Sequence, residues 1–260
     1  MSYLEDIMLR KRVEVRGLKD EFSITEIAKT LEQCTTDVVG KLRRPVDSPL
    51  RIIAEHKRRS PSKGDIRPGS DPAEIARMYE VSGASAMSVL TDEVGFGGTS
   101  ADLIAARAAV SLPILCKDFV VSPLQVMLAR KWGADIVLLI VAGLSPPELK
   151  RLFGLVEQLG MTALVEVHDA HELHVAGVLG ATLIGVNNRD LHSFEVDLAL
   201  SETLVDRFPK GAVRVSESGI RTSADLRRLR AAGYDAALIG ESLMRADHPG
   251  LALEGLLAEA

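Results

Sequence analysis

Eight repeats of a short apolar strand followed by an amphipathic helix predict that this chain folds as a closed parallel (β/α)8 barrel, the TIM barrel. Strand and helix alternate throughout one chain, which indicates a parallel sheet, and the number eight favours a closed barrel over an open doubly wound sheet. The 260 residues, 47% of them hydrophobic, are enough for one large core. We place the barrel domain at residues 49–260, after an N-terminal helical extension, residues 1–48, that packs on it.

The extension is charged and has the period of helices. Leu4, Ile7 and Met8 form one apolar stripe, and Ile24 begins a second. Beyond it, the predicted strands are 50–57, 86–92, 113–119, 136–141, 162–167, 182–188, 212–217 and 236–240. The predicted helices lie near 72–82, 100–109, 122–132, 145–159, 169–179, 197–207, 223–232 and 249–259. Asp71-Pro72 and Ser145-Pro146 are typical of helix starts, with a capping side chain before a proline.

The composition argues against several classes of protein. A net charge of −5 disfavours nucleic-acid binding, which needs a clustered basic face. The two cysteines, Cys34 and Cys116, are too few for a disulfide framework and lack metal-ligand spacing, so we expect a reducing, cytoplasmic compartment. The N-terminus is unlike a signal peptide, and no apolar run is long enough for a membrane span. We expect no metal, no cofactor and no membrane partner.

The stretch 50–64 combines an apolar strand with a polar turn. Side chains of a strand alternate between faces, so Glu55 and Lys57 point the same way. Two such charges at the end of a buried strand are costly unless they pair or bind a ligand. The turn that follows, Ser60-Pro61-Ser62-Lys63-Gly64, offers hydroxyls, backbone N–H groups and a cation. We interpret this stretch as the rim of a site for an anionic substrate, and a structural ion pair beside a polar loop is the alternative.

Other predicted strands also end in polar residues, which are Thr91-Asp92-Glu93, Lys117-Asp118, Glu166, Asn187-Asn188-Arg189 and Glu217-Ser218. Active sites of these barrels lie at the carboxyl ends of the strands, so polar residues at six ends predict a site. Strand alternation directs Lys117 and Glu166 into one pocket, where a lysine and a carboxylate can act as general acid and base. A buried pair without chemistry is the alternative.

The last two units predict a phosphate site. Ser216-Glu217-Ser218-Gly219-Ile220 and Ile239-Gly240-Glu241-Ser242-Leu243 each follow a strand and open a helix through a glycine-containing turn. Such turns direct free N–H groups at an anion, and the loops after strands seven and eight commonly bind phosphate in this architecture. Ordinary tight turns are the alternative.

Two further motifs are weaker. The glycine-rich segment 95–100 suggests a mobile lid whose Phe96 faces an aromatic substrate, or a plain flexible loop. His168, His171 and His174 have a spacing that metal ligands can use, but they fall on a predicted outer helix. We therefore interpret these three histidines as solvated surface residues.

Six motifs, in order, resemble the indole-3-glycerol-phosphate synthase family from about residue 50 to residue 245. They are Ile53-Ala54-Glu55-His56-Lys57-Arg58-Arg59-Ser60-Pro61-Ser62-Lys63-Gly64, Ser88-Val89-Leu90-Thr91-Asp92, Cys116-Lys117-Asp118-Phe119, Leu164-Val165-Glu166-Val167-His168, Gly185-Val186-Asn187-Asn188-Arg189-Asp190-Leu191 and Ser216-Glu217-Ser218-Gly219-Ile220. The helical extension is also similar to that of the family.

The resemblance implies a carboxy-lyase of tryptophan biosynthesis that closes the ring of a phosphorylated aromatic substrate, 1-(2-carboxyphenylamino)-1-deoxyribulose 5-phosphate. The products are indole-3-glycerol phosphate, CO2 and water. We expect a stand-alone enzyme, a monomer or weak oligomer.

By the same resemblance, Lys117 is the general acid on the ribulose carbonyl, Lys57 contacts the substrate carboxylate or phosphate, and Glu166 serves in the dehydration step. The residues that position substrate hydroxyls and the lysines are Glu55, Asn187 and Glu217. The phosphate-loop positions are Ser60, Ser218, Gly219, Gly240 and Glu241. Further substrate-binding candidates are Phe96, Phe119 and Arg189.

Two other interpretations stay open on the residues alone. A Schiff-base aldolase would also place a lysine at the end of a strand. A non-catalytic barrel could keep the pocket as a binding site, although the complete set of Lys117, Glu166 and Asn187 argues against it.

Overall fold

The computed structural model describes residues 3–190 and 193–259, so Leu191, the last residue of one motif, lies outside the described residues. Ten strands form within these ranges. They are β1 Arg51–His56, β2 Arg59–Ser60, β3 Gly64–Asp65, β4 Ala86–Leu90, β5 Ile114–Lys117, β6 Ile136–Ile140, β7 Thr162–Val167, β8 Leu183–Asn187, β9 Val213–Glu217 and β10 Ala236–Ile239. Eight of them close a parallel barrel in the order β1-β10-β9-β8-β7-β6-β5-β4, which confirms the predicted fold class. Strands β2 and β3 form a small antiparallel hairpin that the sequence analysis did not predict.

Helices connect successive barrel strands and cover the outside of the barrel. They are α1 Tyr3–Glu21, α2 Ile24–Thr30, α3 Val38–Leu42, α4 Pro72–Val81, α5 Glu93–Phe96, α6 Ser100–Ala109, α7 Pro123–Lys131, α8 Pro146–Gln158, α9 Ala170–Leu179, α10 Ala199–Leu204, α11 Ser223–Ala232, α12 Glu241–Arg245 and α13 Pro249–Ala258. Single 3-10 turns occupy Val141–Gly143 and Val205–Arg207. Asp71 caps α4 as predicted, because its carboxylate accepts a hydrogen bond from the backbone N–H of Ala73. None of the described helices is long and apolar enough to cross a membrane.

The barrel core is formed by strand residues that are buried on both faces. All five residues of β6 are buried apolar side chains, as expected for a parallel strand between a barrel interior and a helical layer. Polar side chains appear where the strands end, at Glu55, Lys117, Glu166, Asn187 and Glu217. The strands are thus apolar along their length and carry polar side chains together at the carboxyl end of the barrel.

Helices α1 to α3 run along the barrel from its carboxyl end to its amino end. At the carboxyl end, α1 packs against the 3-10 turn Val141–Gly143. Ile27 of α2 lies in an apolar cluster with α7. Cys34 and Thr36 then reach Asp135, just before β6, with Sγ–Oδ1 and Oγ1–Oδ1 distances of 3.2 and 2.7 Å. The extension is therefore attached at both ends of the barrel.

We expect Thr36→Val to lower the free energy of unfolding by about 1.5 kcal/mol, the contribution of one hydrogen bond to a charged acceptor. Asp135 is buried and keeps its hydrogen bonds from Arg107 and from the N–H of Ile114, so only one bond is lost. Thr203→Val is the matched control, because its hydroxyl bonds an exposed carbonyl within its own helix. Denaturant unfolding of both variants measures the difference, and equal midpoints would contradict this role of Thr36.

Candidate active site

A pocket opens at the carboxyl ends of the barrel strands and encloses about 600 Å³. Every site residue predicted from the sequence lines it. These are Glu55, Lys57, Ser60, Phe96, Lys117, Phe119, Glu166, Asn187, Arg189, Glu217, Ser218, Gly219, Gly240 and Glu241. The geometry thus brings all the candidates together at one end of the barrel.

Lys117, the last residue of β5, lines the pocket between two carboxyl side chains. Its Nζ is 3.2 Å from Glu166 Oε2 and 3.3 Å from Glu217 Oε2, and 16% of the side chain is exposed. Burial alone would lower the pKa of Lys117, but the carboxylates of Glu217, Glu166 and Glu55 raise it above its ordinary value. The pocket therefore contains a protonated amine that is mostly buried but still partly accessible to a substrate.

The two carboxylates beside Lys117 are in different environments. Burial would raise the pKa of Glu166, but Lys117, His168 and the Asn187 amide lower it, so this residue is an anion. Burial raises the pKa of Glu217 to about 7, against the opposing effect of Lys117. Two neighbouring carboxyls whose pKa values are driven apart are typical of acid–base sites.

Glu217 fills the space that a side chain at position 185 would otherwise take. Its Oε1 is buried and has no hydrogen-bond partner among the described residues. A Cβ added to Gly185 on the neighbouring strand β8 would lie 2.0 Å from that oxygen. The glycine is therefore required for the position of the carboxylate.

Glu55, in β1, and Lys57, just after it, form an ion pair. The Lys57 Nζ lies 2.7 Å from Glu55 Oε1, and both side chains are largely buried. Gly240 leaves room for Glu55, because an added Cβ would be 2.3 Å from the same oxygen. Strand alternation predicted that the two side chains point the same way, and the structure adds that they form an ion pair while Lys57 still lines the pocket.

The loop after β9 has an unusual backbone. Ser218 and Gly219 both have positive φ, 66° and 83°, a conformation that is costly for serine. Asn188 holds this loop, since its Nδ2 donates to the carbonyls of Glu217 and Ser218 at 2.8 and 3.2 Å. The Ser60 hydroxyl, in the segment after β1, is buried without a hydrogen-bond partner in the described structure. The ends of β1 and β9 thus offer polar groups to a ligand.

Aromatic side chains form one wall. Phe96 and Phe119 pack with ring centroids 6.2 Å apart. Residues 93–96 form the helical turn α5, which ends at Gly97, and the mobility of this segment as a lid stays a prediction. Asp92 stabilises this turn by accepting a hydrogen bond of 2.7 Å from the N–H of Gly95.

Helix α1 contributes to the pocket, which was not predicted from the sequence. Tyr3, Leu4 and Ile7 line it, and the Tyr3 ring packs edge-on against Phe194 with centroids 4.9 Å apart. The signal was present in the stripe of Leu4, Ile7 and Met8, which was interpreted only as packing.

A buried lysine fixes α1 over the pocket. The Lys11 Nζ, fully buried, lies 2.9 Å from both Asp92 Oδ1 and Asp118 Oδ1. Burial opposes the charge, but Asp118 and Asp92 raise the pKa of Lys11. These aspartates follow β4 and β5, so Lys11 ties α1 to the chain segments beside Phe96 and Lys117.

The interpretation of His168 as a solvated helix residue is wrong. It precedes α9, and its Nε2 lies 3.3 Å from Glu166 Oε1. His171 and His174 are exposed, as predicted. Within the described ranges, no group of three or more His, Cys, Asp or Glu side chains is placed to hold a metal ion.

We expect Glu217→Gln to impair kcat/KM more at pH 8 than at pH 6. With a pKa of about 7, Glu217 is mostly a neutral acid at pH 6, which an amide imitates, and mostly an anion beside Lys117 at pH 8. The ratio of wild-type to variant kcat/KM should rise on the order of tenfold between pH 6 and pH 8, because these two pH values lie one unit below and one unit above the pKa of Glu217. Taking the ratio cancels ionisation of the substrate, and a constant ratio would refute the assignment.

The pocket at the carboxyl end of the (β/α)8 barrel holds a lysine beside two carboxyls whose pKa values differ. This combination defines a TIM-barrel enzyme with an acid–base site. A family model described as indole-3-glycerol phosphate synthase matches residues 4–256. The chain belongs to the indole-3-glycerol phosphate synthase family.

Individual relatives agree. The chain is 50% identical over 242 residues to indole-3-glycerol phosphate synthase 2 of Streptomyces coelicolor, covering 93% of this chain and 92% of that protein. It is 46% identical over 250 residues to indole-3-glycerol phosphate synthase of Chloroherpeton thalassium, covering 95% and 96%. Thiamine phosphate pyrophosphorylase from Pyrococcus furiosus matches in structure with a TM-score of 0.62 at 16% identity, over 86% of this chain and 97% of that one, which shows the fold alone.

Proposed function

We propose that the chain closes the ring of 1-(2-carboxyphenylamino)-1-deoxyribulose 5-phosphate to give indole-3-glycerol phosphate, CO2 and water. Membership of the family supports this reaction. The observation that carries the assignment of roles is the Lys117 amine, held 3.2 and 3.3 Å from the carboxylates of Glu166 and Glu217.

Lys117 is the general acid of ring closure. As the aromatic carbon attacks the ribulose carbonyl, the carbonyl electron pair moves to oxygen and takes a proton from Nζ. Three neighbouring carboxylates keep that amine protonated before the step. The neutral amine that is left after proton transfer stays beside Glu166, whose Oε2 is 3.2 Å from Nζ. The ring carboxylate then leaves as CO2, and its bonding electrons restore the aromatic ring.

Dehydration completes the reaction. The new hydroxyl leaves as water, which requires a proton donor, and the neighbouring carbon loses a proton to a base. Glu166 is the base in this proposal, because it is the carboxylate that its surroundings keep ionised. Lys57 and Lys117 are the cations available to protonate the departing hydroxyl. Glu55, Asn187 and Glu217 hold the two lysines and the substrate hydroxyls in place.

The phosphate lies between the ends of β1, β9 and β10 in this proposal. The free hydroxyl of Ser60 and the backbone of Ser218, Gly219, Gly240 and Glu241 would bind it. Lys63, Arg221 and Arg245 line the same part of the pocket and add positive charge. Phe96 and Phe119 contact the aromatic ring at the opposite part, and Arg189 binds the substrate between the two.

We also propose that residues 1–48 are a part of this catalytic unit and not an independent domain, because Tyr3, Leu4 and Ile7 line the pocket. A cytoplasmic location and a monomeric or weakly oligomeric state complete the proposal. The two buried free cysteines suit a reducing compartment. Sedimentation of the purified chain tests the oligomeric state.

The direct test mixes the purified protein with the substrate, without added metal, and follows indole fluorescence. Growth of the signal, abolished in Glu166→Gln, is the expected result. Binding without turnover would favour a non-catalytic barrel. Borohydride trapping of substrate on Lys57 or Lys117 would favour the Schiff-base alternative.

A further inference from the structure

His168 occupies a position between two carboxylates that belong to different elements. Its Nε2 lies 3.3 Å from Oε1 of Glu166 at the end of β7, and its Nδ1 lies 3.2 Å from Oε2 of Glu172 in the first turn of α9. The imidazole is 15% exposed. It therefore connects the candidate base to a carboxylate outside the pocket lining.

Glu172 fixes the orientation of the ring. Its Oε2 also accepts a hydrogen bond of 2.7 Å from the backbone N–H of His168, and its own N–H donates to Asp169 Oδ1 at 2.8 Å. These bonds belong to the start of α9, so the carboxylate is held by the helix as well as by the ring. Because the Glu172 carboxylate holds Nδ1, the ring is oriented with its other nitrogen, Nε2, toward Glu166.

The two oxygens of Glu166 consequently have separate partners. Oε1 accepts a hydrogen bond of 3.1 Å from Asn187 Nδ2 and lies in the ion pair with His168. Oε2 receives the Lys117 amine at 3.2 Å. Only Oε2 is shared with the proposed general acid.

The charged groups around His168 favour the protonated, imidazolium form of its ring. Burial opposes the charge, but Glu166 and Glu172 raise the pKa of His168 to about 10. Strand β6 and the turn Val141–Gly143 are apolar, and β8 contributes the neutral Asn187. The charged residues of α8 do not face the ring: Glu148 pairs with Arg12, and Lys150, Arg151 and Glu157 are exposed. Lys117 from β5 pairs with Glu166 at 3.2 Å, and Glu217 from β9 pairs with the same amine at 3.3 Å.

We propose that His168, oriented by Glu172, is a positioning residue that holds one oxygen of Glu166, so that the other oxygen is directed at Lys117 for proton transfer. This inference rests on the proposed function of Glu166. In this arrangement His168 does not touch the substrate. It keeps Glu166 ionised and fixes its rotation, and without it the carboxyl would take up a proton at a higher pH.

The test compares His168→Gln and Glu172→Gln with His171→Gln, a matched control on the exposed face of α9. Ring proton resonances of the histidines are followed against pH by NMR, with His168 assigned from the signal absent in His168→Gln. In parallel, kcat and KM are measured against pH. Thermal unfolding of each variant checks that it is folded, and Glu172→Gln carries the kinetic measurement should His168→Gln fail to fold.

We expect the wild-type His168 ring to stay protonated well above pH 6.5, and Glu172→Gln to lower its pKa by at least about one unit. kcat should fall on the order of tenfold in His168→Gln and in Glu172→Gln, as expected when a catalytic carboxylate is misplaced, with a smaller change in KM and no change in His171→Gln. A His168 ring that titrates near its ordinary value, or equal kcat in His168→Gln and His171→Gln, would overturn the proposal. The NMR arm needs no substrate, so it separates failure of this inference from failure of the proposed reaction.

Discussion

Lys117→Met is expected to lower kcat by a factor of about 10²–10⁴, the contribution of one well-placed general acid. Methionine keeps the length and apolar stem of the lysine but cannot give a proton to the substrate carbonyl. KM should change less, because Lys57 and the phosphate-binding loops are intact. Initial rates of indole formation measure both parameters, and Lys150→Met on the exposed face of α8 is the control.

The same variant has a predicted signature in stability. Without the amine, the buried carboxyls of Glu166 and Glu217 have raised pKa values, so the folded state binds protons that the unfolded state does not. This favours the folded state at low pH, and the advantage is lost as the pH rises through the raised values. The destabilisation relative to wild type should therefore be greater at pH 8 than at pH 5.

Unchanged kcat in Lys117→Met would refute Lys117 as the acid, and Lys57→Met would then be the next variant to examine.

The barrel and the members of the pocket could be predicted because both follow from local patterns and one topological rule. Apolar strands such as Ile136–Ile140 repeat eight times, and parallel strands in a closed barrel present their carboxyl ends at one face. Residues as distant along the chain as Glu55 and Glu217 are therefore expected at the same end of the barrel. The resemblance of six motifs added the expected chemistry.

Contacts between distant parts of the chain were not predictable in this way. The pairing of Tyr3 with Phe194 and the burial of Lys11 between Asp92 and Asp118 depend on how α1 lies across the barrel. Nothing in the local pattern of α1 specifies that position, since an apolar stripe is compatible with packing on any apolar surface.

His168 was misassigned, and the helical turn α5 was not predicted, for a different reason: a competing pattern was preferred. Strand alternation places His168 on the face of Glu166, but the spacing of His171 and His174 suggested a helix that in fact begins only at Ala170. In the segment of Phe96 the glycines suggested flexibility, whereas Asp92 is a helix cap.

Gly185 provides the second large effect, because a methyl group added there would displace the pocket carboxylate Glu217 without altering any charge. It lies on β8 opposite Glu166 of β7 and Val215 of β9. A Cβ there would meet Glu217 Oε1 at 2.0 Å and Leu164 Cδ1 at 3.2 Å. The first distance requires the carboxylate to move, while the second asks only for a small adjustment.

We expect Gly185→Ala to lower kcat on the order of 10²-fold, the cost of misplacing a catalytic group by about 1 Å. Gly154→Ala is the matched control, since a Cβ on that helical glycine meets nothing within 4 Å and alanine favours the helix. Glu217→Asp shortens the displaced carboxylate, so its cost should be smaller in the Gly185→Ala background than in the wild type. Strictly additive losses in kcat would place the effect of the methyl group elsewhere, at Leu164 and the strand packing. Coupled losses would assign it to the position of Glu217 beside Lys117.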